Sequence, residues 1–392
     1  MTARGRAPTS PTDQVASLVV IFAFSVGLGA AAVVVPLVAL DAGYDAAAVG
    51  FLVATAAACQ FAMRLTLPWL LGWFPDRTLI AAGSLATVGS FGLLLLSTAL
   101  PVFVVAQLLQ GAGRALFWTS NQTHAVRSGD RPVERLVVMT MAGNAGTLTG
   151  PAMGGMLAAV ALDLGLALAV GSTAVAVLAA PFLQRLPRYD RRAGIGTRRL
   201  LRREGVDLAC WSSVIGGTWW SMVGSYVPVM AVAAGIGAAG LGGLVTLSEG
   251  AGMVALFTLR RVAPERIRPI VVAASAATVA ALIGLAATAF VGPAAIGAFI
   301  PLMILGGVGS GTVTALSAAV ASLVAGPAEQ GDALAVSGTF RAGALLVAPA
   351  TVGALLSVVA VPGAVALVAL AAGLPGALLP GVRRTLGRRV PG

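Results

Sequence analysis

Long apolar runs, broken by short clusters of Gly, Pro, Asp and Arg, recur from one end of this chain to the other. They fall at 15–40, 46–72, 78–99, 101–126, 134–160, 163–185, 208–235, 239–259, 269–291, 294–325, 332–358 and 361–379. About 20 apolar residues in a helix are needed to cross the hydrocarbon core of a bilayer. The pattern therefore predicts an all-α integral membrane protein with twelve transmembrane helices. The first run is too long for a cleavable leader and lacks a cleavage site, so it is expected to remain as the first helix.

Composition agrees. Charged residues make up 10% of the 392 and hydrophobic ones 58%, with a mean hydropathy of +0.95; a soluble domain carries about 25% charge. The net charge of +11 comes entirely from Arg, since no Lys is present. Those Arg residues cluster in alternate breaks: Arg4 and Arg6; Arg77; Arg127, Arg131 and Arg135; the stretch 185–203; Arg260 to Arg268; and Arg383 to Arg389. The intervening breaks hold Asp41, Asp45 and Asp163, and the break near 326–332, with Glu329 and Asp332, has no Arg. Twelve spans put the Arg-rich breaks on one side, and the positive-inside rule makes that side the cytoplasm, with both termini. The charge thus marks topology in the cell membrane and does not point to nucleic acid. Cys59 and Cys210 fall in or beside spans and read as small packing residues, not a disulfide. The Arg-only, Ala- and Gly-rich usage suits a GC-rich bacterium.

The chain divides into a tail (1–14), a six-helix half (15–185), a basic linker (186–207), a second six-helix half (208–379) and a second tail (380–392). The linker is either a short helix on anionic lipid or a solvated topological determinant. The halves repeat: Pro36, Gly43 and Gly50 recur as Pro228, Gly235 and Gly242, each 192 residues on (228 − 36, 235 − 43, 242 − 50). Gly146, Leu148, Pro151, Ala152 and Gly155 recur as Gly343, Leu345, Pro349, Ala350 and Gly353, with one residue inserted. Duplicated halves with a midplane site are a transporter architecture.

The fifth run contains Gly146-x-x-x-Gly150-Pro151-x-x-Gly154-Gly155. Glycines four apart share a helix face and let two helices touch backbone to backbone, while proline removes a hydrogen bond and kinks the helix. The string resembles motif C, the antiporter signature of proton-linked exporters in the major facilitator superfamily. The break after the second run, Gly72-Trp73-Phe74-Pro75-Asp76-Arg77, resembles the core of motif A of that superfamily, without its usual basic tail. The resemblance implies a cytoplasmic latch at Gly72, Asp76 and Arg77; the plain alternative is Asp76 as a helix N-cap. The fourth run, Gln107-Leu-Leu-Gln110-Gly111-Ala-Gly113-Arg114, is similar to motif B, but Gln107 stands where the family carries its coupling Arg. The whole chain resembles the drug:proton antiporter branch in topology, which implies two pseudo-symmetric halves of the major facilitator fold.

Charges at mid-bilayer depth are costly and point to function. Four stand out: Arg64, Arg114, Glu249 and Arg341, in the second, fourth, eighth and eleventh spans. Glu249 is the one carboxylate clearly inside a span. It is read as the proton-coupling residue, or else as half of a static ion pair. Arg114 is a partner for Glu249, an anion-binding group or a stand-in for the absent motif B charge. Arg341 aligns with Asn144 of the first half, and the resemblance implies an approach to Arg64; Arg64 is otherwise free to snorkel to headgroups. Trp118, Trp219 and Trp220 are candidates for an amphipathic cavity wall. Trp69, Trp73 and Trp211 read as belt residues at the membrane boundary.

These observations lead to a secondary transporter that exports small amphipathic organic molecules, a drug or secondary metabolite, against protons by alternating access. The alternatives are a facilitator or importer of an organic anion, and a transporter-like receptor or assembly partner. An enzyme is disfavoured, because His124 is the only His, read as a surface or capping residue, and no metal-ligand or triad spacing occurs. The expected partners are a small-molecule substrate, protons and membrane lipid, with no nucleic acid. The chain is expected to act as a monomer. No cofactor or metal is expected, the proton gradient being the energy source.

Overall fold

The computed structural model describes residues 10–128, 132–187, 201, 205–259, 266–290, 296–324 and 330–378. Among them the secondary structure is helical throughout, without strands. The first half contributes α1 (Pro11–Asp41), α2 (Ala46–Trp73), α3 (Asp76–Leu96), α4 (Leu100–Arg127), α5 (Pro132–Val160) and α6 (Leu162–Ala179). The second contributes α7 (Val206–Val223), α8 (Tyr226–Ala233), α9 (Ala238–Leu259), α10 (Ile267–Thr288), α11 (Ile296–Val324), α12 (Gln330–Leu355) and α13 (Val361–Leu378). Most of the expected linker and the tail at 380–392 lie outside the described residues, as do Glu329 and the side chain of Asp332.

Among the described residues, nine helices are each long and apolar enough to cross a membrane. The remaining passes come from α5, α13 and the α7–α8 pair. α5 is 29 residues long, but Thr140, Asn144, Thr147, Thr149 and five glycines dilute its apolar run. The seventh span, expected as one helix, is two. Gly224 ends α7, and Ser225, with φ −133° and ψ −70°, leaves helical geometry while its hydroxyl donates to Ser221 O at 2.6 Å. A Gly/Ser pair is a common site for such a break.

Local chemistry fixes the helix ends. Ser10 caps α1, its hydroxyl accepting from Asp13 N at 3.1 Å, and Pro11 supplies a preset first turn. At the other end Gly43 has φ +85°, and in the second half Gly235 has φ +83°. A left-handed residue here lets the chain turn back on its own last carbonyls: Gly43 N donates to Leu40 O at 3.0 Å and Gly235 N to Val232 O at 2.9 Å, and beyond Gly235, Ile236 N donates to Ala231 O at 2.8 Å. These are two of the glycines 192 residues apart, and they perform the same turn.

The described helices form two compact units. Unit 1 is 1–43, 55–192 and 238–246; unit 2 is 44–54, 193–237 and 247–392. In unit 1, α1 packs along α5 and α6, and α3 along α4 and α6. Unit 2 repeats the scheme, with α7 along α12 and α10 along α11 and α13. The core of unit 1 includes Val20, Phe24, Ile80, Phe117, Met139 and Leu183. That of unit 2 includes Ile215, Val271, Val313 and Trp211. Trp211 is therefore not a belt residue: it is 6% exposed, and its indole donates to Ala372 O at 3.0 Å. Trp69 and Trp73 are exposed, their rings 5.4 Å apart. Cys59 and Cys210 are both free thiols.

Candidate functional site

The glycine string of α5 in unit 1 divides its faces between two neighbours. A Cβ on Gly146 would stand 2.5 Å from Phe22 O, and one on Gly154 would stand 2.8 Å from Ala30 Cα. Gly150 similarly abuts Val26 O, so three successive turns of α5 rest on bare backbone of α1. Pro151 needs the same accommodation from the other side: a Cβ on Gly29 would be 2.8 Å from its Cδ. Gly155 faces α9, where a Cβ would lie 2.5 Å from Ala238 O and 2.8 Å from Gly242 Cα. Thr246 Oγ1 of α9 then donates to Leu148 O at 3.0 Å.

Unit 2 contains the counterpart of the α5–α9 contact. Gly50 of α2 lies against the Tyr226 ring, and a Cβ there would be 3.1 Å from Pro349 O. Tyr226, fully buried, donates its hydroxyl to Pro349 O at 3.2 Å. Gly50 and Gly242, like Pro151 and Pro349, are repeat partners in the sequence, so the same close approach is built twice.

A buried charge network closes the Arg-rich end of unit 1. Asp76, 1% exposed at the first turn of α3, accepts two hydrogen bonds of 3.0 Å from Arg127 Nη1 at the end of α4. Arg127 also donates to Pro187 O. Asp76 is not the N-cap, a position held by Pro75. Its partner is Arg127, a residue the sequence reading did not connect to it. Beside this pair, Asp13 of α1 is met by His124 Nε2 at 3.0 Å, by Gln184 N at 2.6 Å and by Arg135 of α5. Arg135 further donates to Ser17 Oγ at 3.1 Å and Ser128 O at 3.2 Å. His124 has no exposed surface, so it is neither a surface nor a capping residue. The signal for it was available: a His one turn before Arg127 in an apolar helix, with an Asp in the first turn of another.

Glu249 sits midway along α9, in unit 2. Arg341 of α12, in the same unit, acts on it electrostatically. Arg341 also brings its backbone against α7, where a Cβ on Gly217 would be 2.7 Å from Arg341 O. Trp219, on the same helix, is fully buried with its ring on Gly306 of α11, so in this conformation it packs the unit and offers no wall surface; Trp220 is half-buried.

In unit 1, Gln107, Gly111 and Arg114 share one face of α4, and Gly111 abuts Ala56 and Cys59 of α2. Gln107 is 1% exposed, while Arg114 and Arg64 are half-buried. Trp118 and Asn144 line a common cavity of about 90 Å³ between α1, α4 and α5. Trp118 is held edge-on to the stacked pair Phe24 and Phe117, at 6.3 and 5.7 Å. Gly72, near the end of α2, and Arg77, next to Asp76 in the chain, are half-buried. Among the described residues no group of His, Cys, Asp and Glu is arranged to hold a metal ion.

The sequence profile described as Major Facilitator Superfamily matches residues 17–349. A search of curated proteins returned no match. Among solved structures, a POT family transporter in complex with 5-aminolevulinic acid is similar at a TM-score of 0.75 and 10% identity, over 95% of this chain and 96% of that one. The D-xylose-proton symporter gives 0.72 and 14%, over 96% and 100%. The nucleoside transporter NupG gives 0.69 and 12%, over 95% and 99%. At these identities the likeness is one of fold.

Proposed function

The chain belongs to the Major Facilitator Superfamily, and from that premise we propose that it exports small amphipathic organic molecules, a drug or a secondary metabolite, in exchange for protons. It is a multi-pass membrane transporter and not an enzyme. The observation that carries the export reading is the α5 string, Gly146 to Gly155, set on α1 and α9 with Pro151 among its glycines. Smooth glycine faces let helices slide and tilt with little side-chain interlock, which alternating access requires.

In this reading Glu249 takes up and releases the proton, and Arg341 of the same unit is the charge it exchanges that proton against. Asp76 and Arg127 hold the latch, with Gly72 and Arg77 in the same stretch of chain, and the Arg-rich end faces the cytoplasm of the cell membrane. The protein works as a monomer. A second reading, a facilitator or importer of an organic anion, draws on Gln107, which leaves the motif B position uncharged, and on Arg114 and Arg341 as anion-binding groups.

The test is proton-gradient-driven transport in proteoliposomes with a panel of amphipathic dyes and antibiotics, wild type beside Glu249→Gln. Uphill movement of a compound, lost in the variant, is expected. Transport that needs no gradient, or that keeps its rate and pH dependence in Glu249→Gln, overturns the exchange mechanism in favour of the second reading.

A further inference from the structure

The cavity between α1, α4 and α5 is built for a particular kind of chemical group. Its floor is buried: Asn121, 1% exposed, lies there with Met139 and Gly143. Its mouth is exposed, formed by Gln122 and Thr140. Trp118 and Asn144, both half-buried, line it as well. The lining contains three carboxamides, a hydroxyl and an indole, and no charged side chain.

Two observations say that the floor awaits a ligand group. No described residue donates to Asn121 Oδ1, although the side chain is almost wholly buried. A buried acceptor without a donor has lost its water and gained nothing in return, so a donor arriving there recovers that loss. Thr140 has already turned its proton to Leu136 O at 2.7 Å, which leaves its oxygen as a further acceptor. The Trp118 ring is fixed by Phe24 and Phe117, so the site is rigid before anything binds.

Size narrows the choice. A cavity of about 150 Å³ takes a benzene ring; at about 90 Å³ this one takes a group of a few heavy atoms. Charge narrows it further, because an ion placed on carboxamides alone has no counter-charge to offset its desolvation.

We propose that this cavity is a binding subsite for the uncharged hydrogen-bonding end of an amphipathic solute: a carboxamide, urea or hydroxyl group. The group donates to Asn121 Oδ1, and the apolar remainder of the solute lies at the mouth against Trp118. The assignment rests on the transporter reading and narrows its substrate class to neutral solutes.

The experiment is calorimetric titration of the full-length protein in detergent with three probes of one shape: benzamide, benzoate and benzylamine. Wild type is expected to bind benzamide at least about tenfold more tightly than either ion. Loss of one neutral hydrogen bond predicts that Asn121→Leu weakens benzamide by about tenfold. Asn144→Leu, on a different helix, gives a second reading if Asn121→Leu does not fold, and is expected to weaken benzamide too. Asn121→Asp is expected to move the preference to benzylamine. The proposal is overturned if wild type binds no benzamide at millimolar concentration, if benzoate binds as tightly, or if neither Leu variant changes its affinity. The transport panel separates this from the function itself: dyes pumped normally by a protein indifferent to benzamide sink the subsite alone. Benzamide bound through Asn121 by a protein that pumps nothing sinks the exporter alone.

Discussion

His124 Nε2 lies 3.0 Å from Asp13 Oδ1, and neither side chain has any exposed surface. The pair joins α1 to α4, and Arg135 and Gln184 converge on the same carboxylate from α5 and from the segment after α6. Asp13→Leu leaves a half-buried Arg135 charge without its counterion and the Gln184 N–H without its acceptor. Breaking a buried pair from one side costs about 3–5 kcal/mol. His124→Leu removes a single contact to Asp13 and leaves its other partners in place, so it is expected to cost no more than about half of that. Thermal unfolding in detergent should therefore rank Asp13→Leu well below His124→Leu, with wild type highest. Equal transitions for all three would mean that the network does not hold this end together.

The glycines of α5, α6 and α9 are expected to divide by what faces them. Gly150→Ala and Gly155→Ala drive a methyl into backbone of α1 or α9, whereas Gly171→Ala and Gly243→Ala enter open space. The first two should lose most transport while still reaching the membrane. The second two should transport normally and gain up to about 1 kcal/mol of stability, since alanine is the better helix former. Counterflow rates beside expression levels decide the matter.

Glu249 and Arg341 are expected to be energetically coupled. Arg341→Gln alone leaves the carboxylate without its cationic neighbour, and Glu249→Gln alone leaves the guanidinium without its anionic one. The double variant should unfold at a higher temperature than additivity of the two single losses allows, by a coupling of about 0.5–3 kcal/mol. Additive losses would show that Arg341 acts on Glu249 too weakly to matter.

Tyr226 pins the start of α8, just past the break in the seventh span, to Pro349 while Gly50 makes room for it. Tyr226→Phe should cost about 1 kcal/mol, the net worth of one hydrogen bond. Gly50→Ala should be far more damaging, because the ring is enclosed and cannot yield. Tyr226→Leu placed on Gly50→Ala should restore part of the loss, measured as folded protein after mild heating.

The architecture was largely legible in the chain, because lipid allows so few ways of satisfying a backbone that apolar runs of sufficient length translate directly into helices. The repeat was legible too: Gly43 and Gly235 make the same turn. What escaped was pairing over distance. Asp76 was recognised, but not Arg127 as its partner, 51 positions away. Asp13 and His124 stand 111 positions apart, and the cues at each, an Asp in a first turn and a His one turn before Arg127, did not say that the two meet. Trp211 looked like a boundary residue because aromatic character near a span end does not reveal which face of the helix carries it. The break at Gly224 was hidden by the apolar residues on either side, which hydropathy reads as one continuous run. The cavity at Asn121 needed three helices to be assembled before its polar floor existed.

The composition of the units has a consequence for how the protein is made. Unit 1 takes in Ala238–Thr246, which the ribosome delivers after the whole of α7 and α8; unit 2 takes in Tyr44–Ala54, delivered near the start. The last residues of these borrowed segments are 192 apart (246 − 54), the period of the repeat. During synthesis, then, the first six helices emerge with the seat for Gly242 beside Pro151 still unfilled, and they must wait in the bilayer for the eighth span. The early end of α2 waits longer, until Pro349 arrives with the eleventh. The order of translation thereby makes the maturation of each unit depend on the other's part of the message, and a nascent chain stalled within the linker should be held by the insertion machinery, with neither unit complete.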